Sequence, residues 1–130
     1  MKNNKEALKQ MFQEIFANPI FNKSAIEKYF APEYRQEVDG KVLHYEQFCK
    51  HVLVQKETIA SMEFDFQTLV SEGNILFSNH LVTASTKTGG YGKIRVIAEF
   101  HFKNGQITYC NELTHLVSGN PEDRDIGSRY

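Results

Sequence analysis

The sequence contains no tryptophan, only two cysteines and three prolines in 130 residues, and almost no net charge. Two cysteines are too few for a disulfide framework, so we expect a reducing, cytoplasmic location. Fifteen basic and sixteen acidic residues give a net charge of -1, which argues against nucleic acid as a partner. No apolar run is long enough for a membrane span, and residues 1–9 lack the apolar stretch of a signal peptide.

The composition supplies what one folded domain needs. Hydrophobic residues make up 41% of the chain and charged residues 24%, a balance typical of folded proteins. A chain of 130 residues can bury enough surface for one core and leaves no room for a second domain of ordinary size. The aromatic residues are ten Phe and six Tyr.

Helical periodicity marks the first half of the chain. An apolar stripe with helical spacing predicts a first helix: Leu8, Met11, Phe12, Ile15 and Phe16. Ser24, followed three residues later by Glu27, has the pattern of a capping box and predicts a second helix that Pro32 ends. A third helix, ending near Glu57, is predicted by another stripe: Tyr45, Phe48, Cys49, Val52 and Leu53.

Strand periodicity follows after Thr58. Apolar and polar residues alternate from Met62 onward, and turn sequences divide this part into four strands, at 72–74, 88–92 and 104–105. Strands joined by such short turns form an antiparallel meander, and a short edge strand is expected at 34–38. Helices followed by a long antiparallel sheet predict an α+β domain over residues 1–118, with a polar tail at 119–130.

Beside this order of elements, some local strings are informative: YFAPEYRQEVDG at 29–40, KNGQI at 103–107 and NELTHLVSG at 111–119. Together they resemble the nuclear transport factor 2-like superfamily, and within it the SnoaL-like branch named after a polyketide cyclase. The resemblance implies a cone-shaped α+β barrel, in which three amino-terminal helices pack in a curved, mostly antiparallel sheet. It also implies an apolar pocket at the open end and a homodimer formed through the outer sheet face.

His80 is the first candidate site residue. It interrupts a strand whose same-face neighbours are small or apolar: Leu76, Ser78, Val82 and Ala84. In limonene epoxide hydrolase-like members of the superfamily, the matching strand carries an Arg and then an Asp, and the resemblance places His80 and Val82 there. Without that carboxylate epoxide hydrolysis is not expected, whereas a histidine can act as acid or base near neutral pH. A hydrogen-bonded structural histidine is the alternative.

The last strand offers a second group of candidates: Asn111, Glu112 and His115. In SnoaL-like cyclases this strand carries an acid–base Asp, a position that counting from Gly105 assigns to His115. A histidine and a carboxylate in one water-poor cavity can share a proton, as carbonyl or enol chemistry requires. An interface or structural role is the alternative.

Which of these residues face the core depends on the register that the turn at 104–105 sets. A two-residue turn directs one set inward: Tyr109, Asn111 and His115. A three-residue loop with a bulge directs the other set inward: Cys110, Glu112 and Thr114. A bulge within the strand would bring in both Glu112 and His115, and the sequence does not choose among these registers.

Glu37 is the third candidate. In many SnoaL-like sequences a Tyr-x-Gln-His string lies on this strand, with its His pointing into the pocket. Here the string runs from Tyr34 to Glu37, so the resemblance puts Glu37 at the position of that His, where it would serve as a base. On an open edge it would be an ordinary surface carboxylate. Tyr34 and Gln36 would hydrogen bond to a ligand under the same placement.

These candidates lead to one main functional hypothesis. The chain is expected to bind a small apolar molecule in a cavity lined by aromatic residues such as Phe16 and Phe100. Its candidate reaction is proton transfer on a carbonyl compound, of the isomerase, cyclase or dehydratase type. His80 and His115 would share the acid–base role, and a carboxylate, Glu112 or Glu37, would orient one of them. Hydrogen bonds to the substrate would come from Tyr34 and Asn111.

Two alternatives remain open, and so does the question of whether the chain is an enzyme at all. One is a ligand-binding module without catalysis, and the other is a protein-interaction homodimer. No organic cofactor is required, and no metal is expected, because Cys49 and His51 point to different sides of the third helix. The sequence also does not decide whether the aromatic side chains fill the predicted cup or only line it.

Overall fold

The computed structural model describes residues 3–119, which have the predicted α+β fold. In chain order its elements are α1 (Asn4–Met11), a π-helix (Phe12–Ala17), α2 (Lys23–Tyr29), β1 (Phe30–Val38), β2 (Lys41–His44), α3 (Tyr45–Thr58), β3 (Ile59–Glu72), β4 (Ile75–Thr86), β5 (Tyr91–Lys103) and β6 (Gln106–Gly119). Of the polar tail predicted at 119–130, Gly119 ends β6, and the rest lies outside the described residues.

The first apolar stripe forms a helix, as predicted, but its last turn widens. Asn3 caps α1, since its side-chain oxygen accepts a hydrogen bond from the Glu6 amide at 2.8 Å. From Phe12 onward the chain continues as a π-helix, a form that occurs mostly as single turns, often at functional sites. Most of the stripe is buried against the sheet: Leu8, Met11, Phe12 and Ile15.

The second helix has different ends from those predicted. Its amino-terminal cap is Asn22, whose side chain accepts a backbone hydrogen bond at 3.1 Å, and not Ser24. Pro32 lies inside β1 rather than at a helix end, at a point where the ladder to β6 is irregular. The predicted edge strand at 34–38 is part of β1 and lies second from the edge, because β2, which the sequence did not predict, pairs with it.

The predicted antiparallel meander is confirmed as β3 to β6. β1 joins the β6 side of the meander in parallel, so the strand order is β2-β1-β6-β5-β4-β3. The sheet curves without closing. The helices pack against one face of it, and this is where the hydrophobic core lies.

The register of β6 combines two of the alternatives that the sequence left open. The turn at 104–105 has two residues, and Phe102 stands opposite Ile107. Thr108 is then an extra residue, a β-bulge at which the register shifts by one. Because such a shift moves every later side chain to the other face, the inward set is Cys110, Glu112 and Thr114.

α3 buries a different stripe from the predicted one. Phe48 and Val52 are buried as expected, but Leu53 is 43% exposed. The buried stripe is completed instead by two polar residues one helical turn apart, His51 and Gln55. The interior beside α3 therefore contains polar side chains as well as apolar ones.

Candidate functional site

A cavity of about 70 Å³ lies between the helices and the inner face of the sheet. Its wall is mostly apolar and aromatic: Phe12 and Phe16 come from the π-helix, and Phe100 comes from β5. Among the described residues, the polar part of the lining comprises Gln36, His51, Gln55, His80, Glu112 and Thr114. An apolar wall with a few convergent polar groups is typical of a ligand site.

The volume limits what this cavity can hold. A space of about 70 Å³ accommodates a few water molecules, whereas pockets for drug-sized ligands measure about 300 Å³ or more. Aromatic rings occupy much of the remaining space. The ring of Phe12 meets those of Phe16, Phe64 and Phe66 edge-on, with centroids 4.8–5.3 Å apart. The aromatic side chains therefore fill most of the cup and line only a small void.

His80 lies in the part of the wall that β4 forms. Its Nδ1 is 2.6 Å from the hydroxyl oxygen of Ser78, two residues away on the same face. The imidazole packs against the rings of Phe12 and Phe66, with centroids 5.3 and 5.2 Å away. Burial lowers the pKa of His80 to about 4. The imidazole is therefore neutral at pH 7, and Nε2 is the nitrogen that remains for a ligand.

Glu112 lines the same cavity from β6. Burial raises the pKa of its carboxyl to about 7. The thiol of Cys110, with Sγ 3.7 Å from Oε1, acts in the opposite direction, and the negative charge of Asp39 adds to the rise. A carboxyl with this pKa exists in both protonation states at neutral pH, as an acid–base catalyst requires.

A buried polar layer lies behind Gln36 and Glu112. The hydroxyl of Tyr34 donates a hydrogen bond to Gln36 Oε1 at 2.9 Å, and Tyr34 also interacts with Cys110, which donates to Glu112. Burial raises the pKa of both Tyr34 and Cys110 well above the ordinary values, so both are protonated at neutral pH. Neutral groups thus orient the two cavity residues without adding charge.

α3 contributes two cavity residues that the interpretation of the sequence missed. His51 and Gln55 line the cavity and are only 2% and 3% exposed. Residues four apart share a helix face, so both lie on the stripe that also buries Phe48 and Val52. Polar residues at that spacing on an otherwise apolar stripe were the signal that the sequence contained.

Of the predicted catalytic residues, the cavity brings together His80 and Glu112. His115 is exposed on the outer face of β6, because the bulge turns it away. Glu37 is also on the outer face, where it accepts a hydrogen bond from the Tyr109 hydroxyl at 3.2 Å. The strand alternation of β1 directs Glu37 outward, since its neighbours on both sides are buried.

Of the predicted ligand-binding residues, Gln36, Phe16 and Phe100 line the cavity. Tyr34 is buried one step behind Gln36. Asn111 is only partly buried and does not line the cavity, because it alternates with the inward residues of β6. Among these residues, the cavity therefore presents the amide of Gln36 to a ligand, whereas the phenol of Tyr34 lies behind it.

Within residues 3–119, His, Cys, Asp and Glu side chains form no group of three or more that could hold a metal ion. Cys49 and Cys110 are free thiols. In this part of the chain, no helix combines the length and the apolar character needed to cross a membrane.

Comparison with known proteins gives the chain its family. No family model matches the sequence. The uncharacterised protein C11D3.04c of Schizosaccharomyces pombe (strain 972) is 30% identical over 121 residues, which cover 93% of this chain and 92% of the yeast protein. A proposed SnoaL-like polyketide cyclase from Jannaschia sp. CCS1 has a structure that superposes with a TM-score of 0.70 at 15% identity, covering 85% of this chain and 84% of that one.

The chain belongs to the same family as this yeast protein, and its fold is the one seen in SnoaL-like polyketide cyclases. A further similar structure is that of a proposed polyketide cyclase from Acidithiobacillus ferrooxidans, with a TM-score of 0.70 and 23% identity over 85% of this chain and 87% of that one. These structural likenesses establish the SnoaL-like fold. Because one fold serves many chemistries, the activity has to be inferred from the cavity itself.

Proposed function

We propose that this SnoaL-like protein binds a small carbonyl compound in its cavity and catalyses proton transfer on it. The observation that carries the proposal is Glu112, whose carboxyl has a pKa of about 7 and lines a mostly apolar cavity. A carboxyl in that state gives and takes a proton at neutral pH. The names of the two structural relatives support a substrate with carbonyl groups, since polyketides carry them.

Glu112 is assigned the proton transfer itself. In its ionised form it removes a proton from the carbon next to the carbonyl, and in its protonated form it returns the proton. His80 is neutral because burial lowers its pKa to about 4. In the tautomer that carries its proton on Nε2, Nδ1 accepts from the Ser78 hydroxyl and Nε2 donates a hydrogen bond to the carbonyl oxygen, where negative charge develops in the enolate. Gln36 and Gln55 bind the remaining polar atoms of the substrate.

The void of about 70 Å³ restricts the substrate to a few non-hydrogen atoms unless the wall moves. Phe16 is the wall residue best placed to move, because it is only partly buried and comes from the end of the π-helix. Small ketones are therefore the appropriate probes, and a larger apolar ligand requires a different rotamer at Phe16.

Exchange of α-hydrogens tests the proposal directly. Acetone and cyclopentanone are incubated in deuterium oxide with the protein, and deuterium uptake at the carbons next to the carbonyl is followed by proton NMR. We expect the wild type to accelerate uptake with saturable kinetics. Glu112→Gln should lower the rate by about 100-fold or more, while Glu63→Gln, at an exposed position of β3, should leave it unchanged. Equal uptake with wild type, Glu112→Gln and no protein would refute the catalytic role.

A second function is supported by the outer sheet face, which we infer to be the contact surface of a homodimer. Large apolar side chains are exposed there: Val70 by 54%, Phe77 by 46%, Ile97 by 44% and Leu113 by 65%. The strand registers place them in two cross-strand pairs, Val70 opposite Phe77 and Ile97 opposite Leu113, with Phe77 and Ile97 diagonal to each other on β4 and β5. Contiguous exposed apolar surface of this kind marks protein–protein contacts.

A further inference from the structure

The turn between β1 and β2 lies against the strand that carries Glu112. At this turn the Asp39 amide donates a hydrogen bond to the Glu112 carbonyl oxygen at 3.0 Å. The Asp39 carboxylate receives two bonds in return: Oδ1 accepts from the Thr114 amide at 2.8 Å, and Oδ2 accepts from the Thr114 hydroxyl. Asp39 thus hydrogen bonds to Glu112 and Thr114, two consecutive inward-facing residues of β6.

These bonds take the place of the backbone hydrogen bonds that a longer β1 would make with β6. β1 pairs with β6 only as far as Val38, which stands beside Glu112, and the chain then turns back at Asp39 and Gly40 into β2. Beyond Glu112, on the side of β1, the Thr114 amide donates to the Asp39 carboxylate. The carboxylate therefore extends the ladder by one step where the backbone of β1 no longer can.

The backbone conformation at position 39 limits which residue types can make these bonds. Asp39 has φ of +51°, a region that Asp, Asn and Gly enter at little cost and other residues seldom occupy. Among these three, Asp offers two oxygen acceptors with a full negative charge, and hydrogen bonds to a charged acceptor are about twice as strong as neutral ones. The residue is suited both to the turn and to the bonds that it makes.

We propose that Asp39 is a positioning residue: it fixes β6 beside the end of β1 so that the Glu112 carboxyl stays in the cavity, and it sets the charge environment of that carboxyl. The inference rests on the proposed function, since it gives Glu112 its setting as the acid–base group. Asp39 itself is exposed and does not line the cavity, so it acts through Glu112 and not on the ligand.

The electrostatic part follows from the groups that face Glu112. Cys110 on β6 and Tyr34 on β1 are neutral, β5 presents Ala98 opposite Glu112, and the other titratable groups of the cavity lining are His51 on α3 and His80 on β4. Asp39 contributes a negative charge, which raises the pKa of Glu112 in addition to the larger effect of burial. Removal of that charge should therefore lower the pKa of Glu112, while burial, the larger cause, continues to hold it above the ordinary value.

Two variants separate the hydrogen bonds from the charge. Asp39→Asn keeps an oxygen for the Thr114 amide and tolerates positive φ, but it removes the negative charge. Asp39→Gly also tolerates the turn, but it removes the bonds and the charge together. Asp65→Asn, at an exposed position of β3, is the matched control for loss of one carboxylate.

The measurements are amide hydrogen exchange at Thr114 and the titration of the Glu112 carboxyl carbon, both by NMR of the full chain without substrate. We expect Asp39→Gly to speed Thr114 exchange by about tenfold or more, as befits loss of a charged hydrogen bond, and Asp39→Asn to lower the Glu112 midpoint while largely keeping Thr114 protected. Asp65→Asn should change neither.

Unchanged Thr114 exchange in Asp39→Gly would overturn the positioning role, and an unchanged Glu112 midpoint in Asp39→Asn would overturn the electrostatic role. If Asp39→Gly does not fold while Asp39→Asn does, the bonds to Thr114 are needed for the fold itself, which supports the positioning role, and Asp39→Asn still decides the electrostatic role. Neither readout requires a substrate, so the positioning role can hold or fail independently of the ketone-exchange result.

Discussion

The hydroxyl of Ser78 lies 2.6 Å from Nδ1 of His80, and both side chains are 2% exposed. The two residues sit two apart on the inner face of β4, so the strand itself brings them together. The bond fixes the plane of the imidazole and occupies one of its nitrogens, which leaves Nε2 toward the cavity. The bond is the structural role that the sequence left as the alternative for His80, and it leaves Nε2 for the role proposed above.

Loss of the Ser78 hydroxyl should destabilise the fold because it leaves a buried nitrogen of His80 without its partner. We expect Ser78→Ala to lower the free energy of unfolding by about 1–3 kcal/mol in urea titrations. The control is Ser85→Ala, which removes a similar bond at the surface, from Ser61 to Ser85 at 2.8 Å. The control should change stability by less than about 0.5 kcal/mol, and equal effects at the two sites would contradict the buried bond.

The stability of the protein should depend on pH in opposite directions through Glu112 and His80. The unfolded chain releases the Glu112 proton near pH 4.5, and the folded protein releases it at about pH 7. The contribution of Glu112 to stability therefore falls as the pH rises through this interval. The unfolded chain binds the His80 proton near pH 6.5, and the folded protein binds it at about pH 4, so the contribution of His80 to stability falls as the pH drops. Between pH 4.5 and 6.5 the two effects oppose each other.

Single substitutions should reveal these opposing slopes. The free energy of unfolding of Glu112→Gln, minus that of the wild type, should rise with pH across that interval by up to about 1.4 kcal/mol per unit. The same difference for His80→Gln should fall with pH. Urea titrations at half-unit intervals measure both, and difference curves that run flat would show that neither group has a shifted pKa.

Removal of the Phe16 ring should enlarge the cavity at a moderate cost. Phe16 packs edge-on against Phe12, with centroids 5.3 Å apart, and against Phe48 at 6.3 Å. Because Phe16 is only partly buried, we expect Phe16→Ala to cost about 1–3 kcal/mol, less than a fully buried Phe would. The enlarged site should bind cyclohexanone more tightly than the wild type does, as measured by saturation-transfer NMR. Phe77→Ala, on the outer face, is the control and should not alter binding.

The proposed homodimer should depend on the apolar outer face of β6. Light scattering at micromolar concentration is expected to give twice the chain mass for the wild type, and Leu113→Lys should weaken the dimer at least about tenfold because it buries a charge in the contact. Ile20→Lys, 71% exposed in the loop before α2, should leave the dimer intact. A wild-type monomer under these conditions would exclude the interface.

Much of the fold follows from local sequence patterns. The stripe from Leu8 to Phe16 has helical spacing, the alternation after Met62 has strand spacing, and Asn104–Gly105 has the sequence of a tight hairpin turn. Each of these signals lies within a few residues of chain, and the structure confirms the element that each predicts. β2 was missed because its four residues are too few to display a period.

The candidate site was predictable only in part. His80 stood out because a histidine on a small, apolar strand face is conspicuous in the sequence. His51 and Gln55 did not, because their burial depends on how α3 packs into the curved sheet. Whether Gln36 or Glu37 enters the cavity likewise depends on which face of β1 turns inward. β1 is positioned by β6, a strand far away along the chain.

The sequence by itself determined the helices, the meander and a supply of aromatic rings for the core, because these depend on short-range periodicity. Only the tertiary structure decided that Glu112 and not His115 enters the cavity, since the bulge at Thr108 changes the face of the residues that follow it as far as Leu116. It also decided the protonation states: burial raises the pKa of Glu112 and lowers that of His80. Both effects arise from residues brought together across the sheet, which no local pattern records.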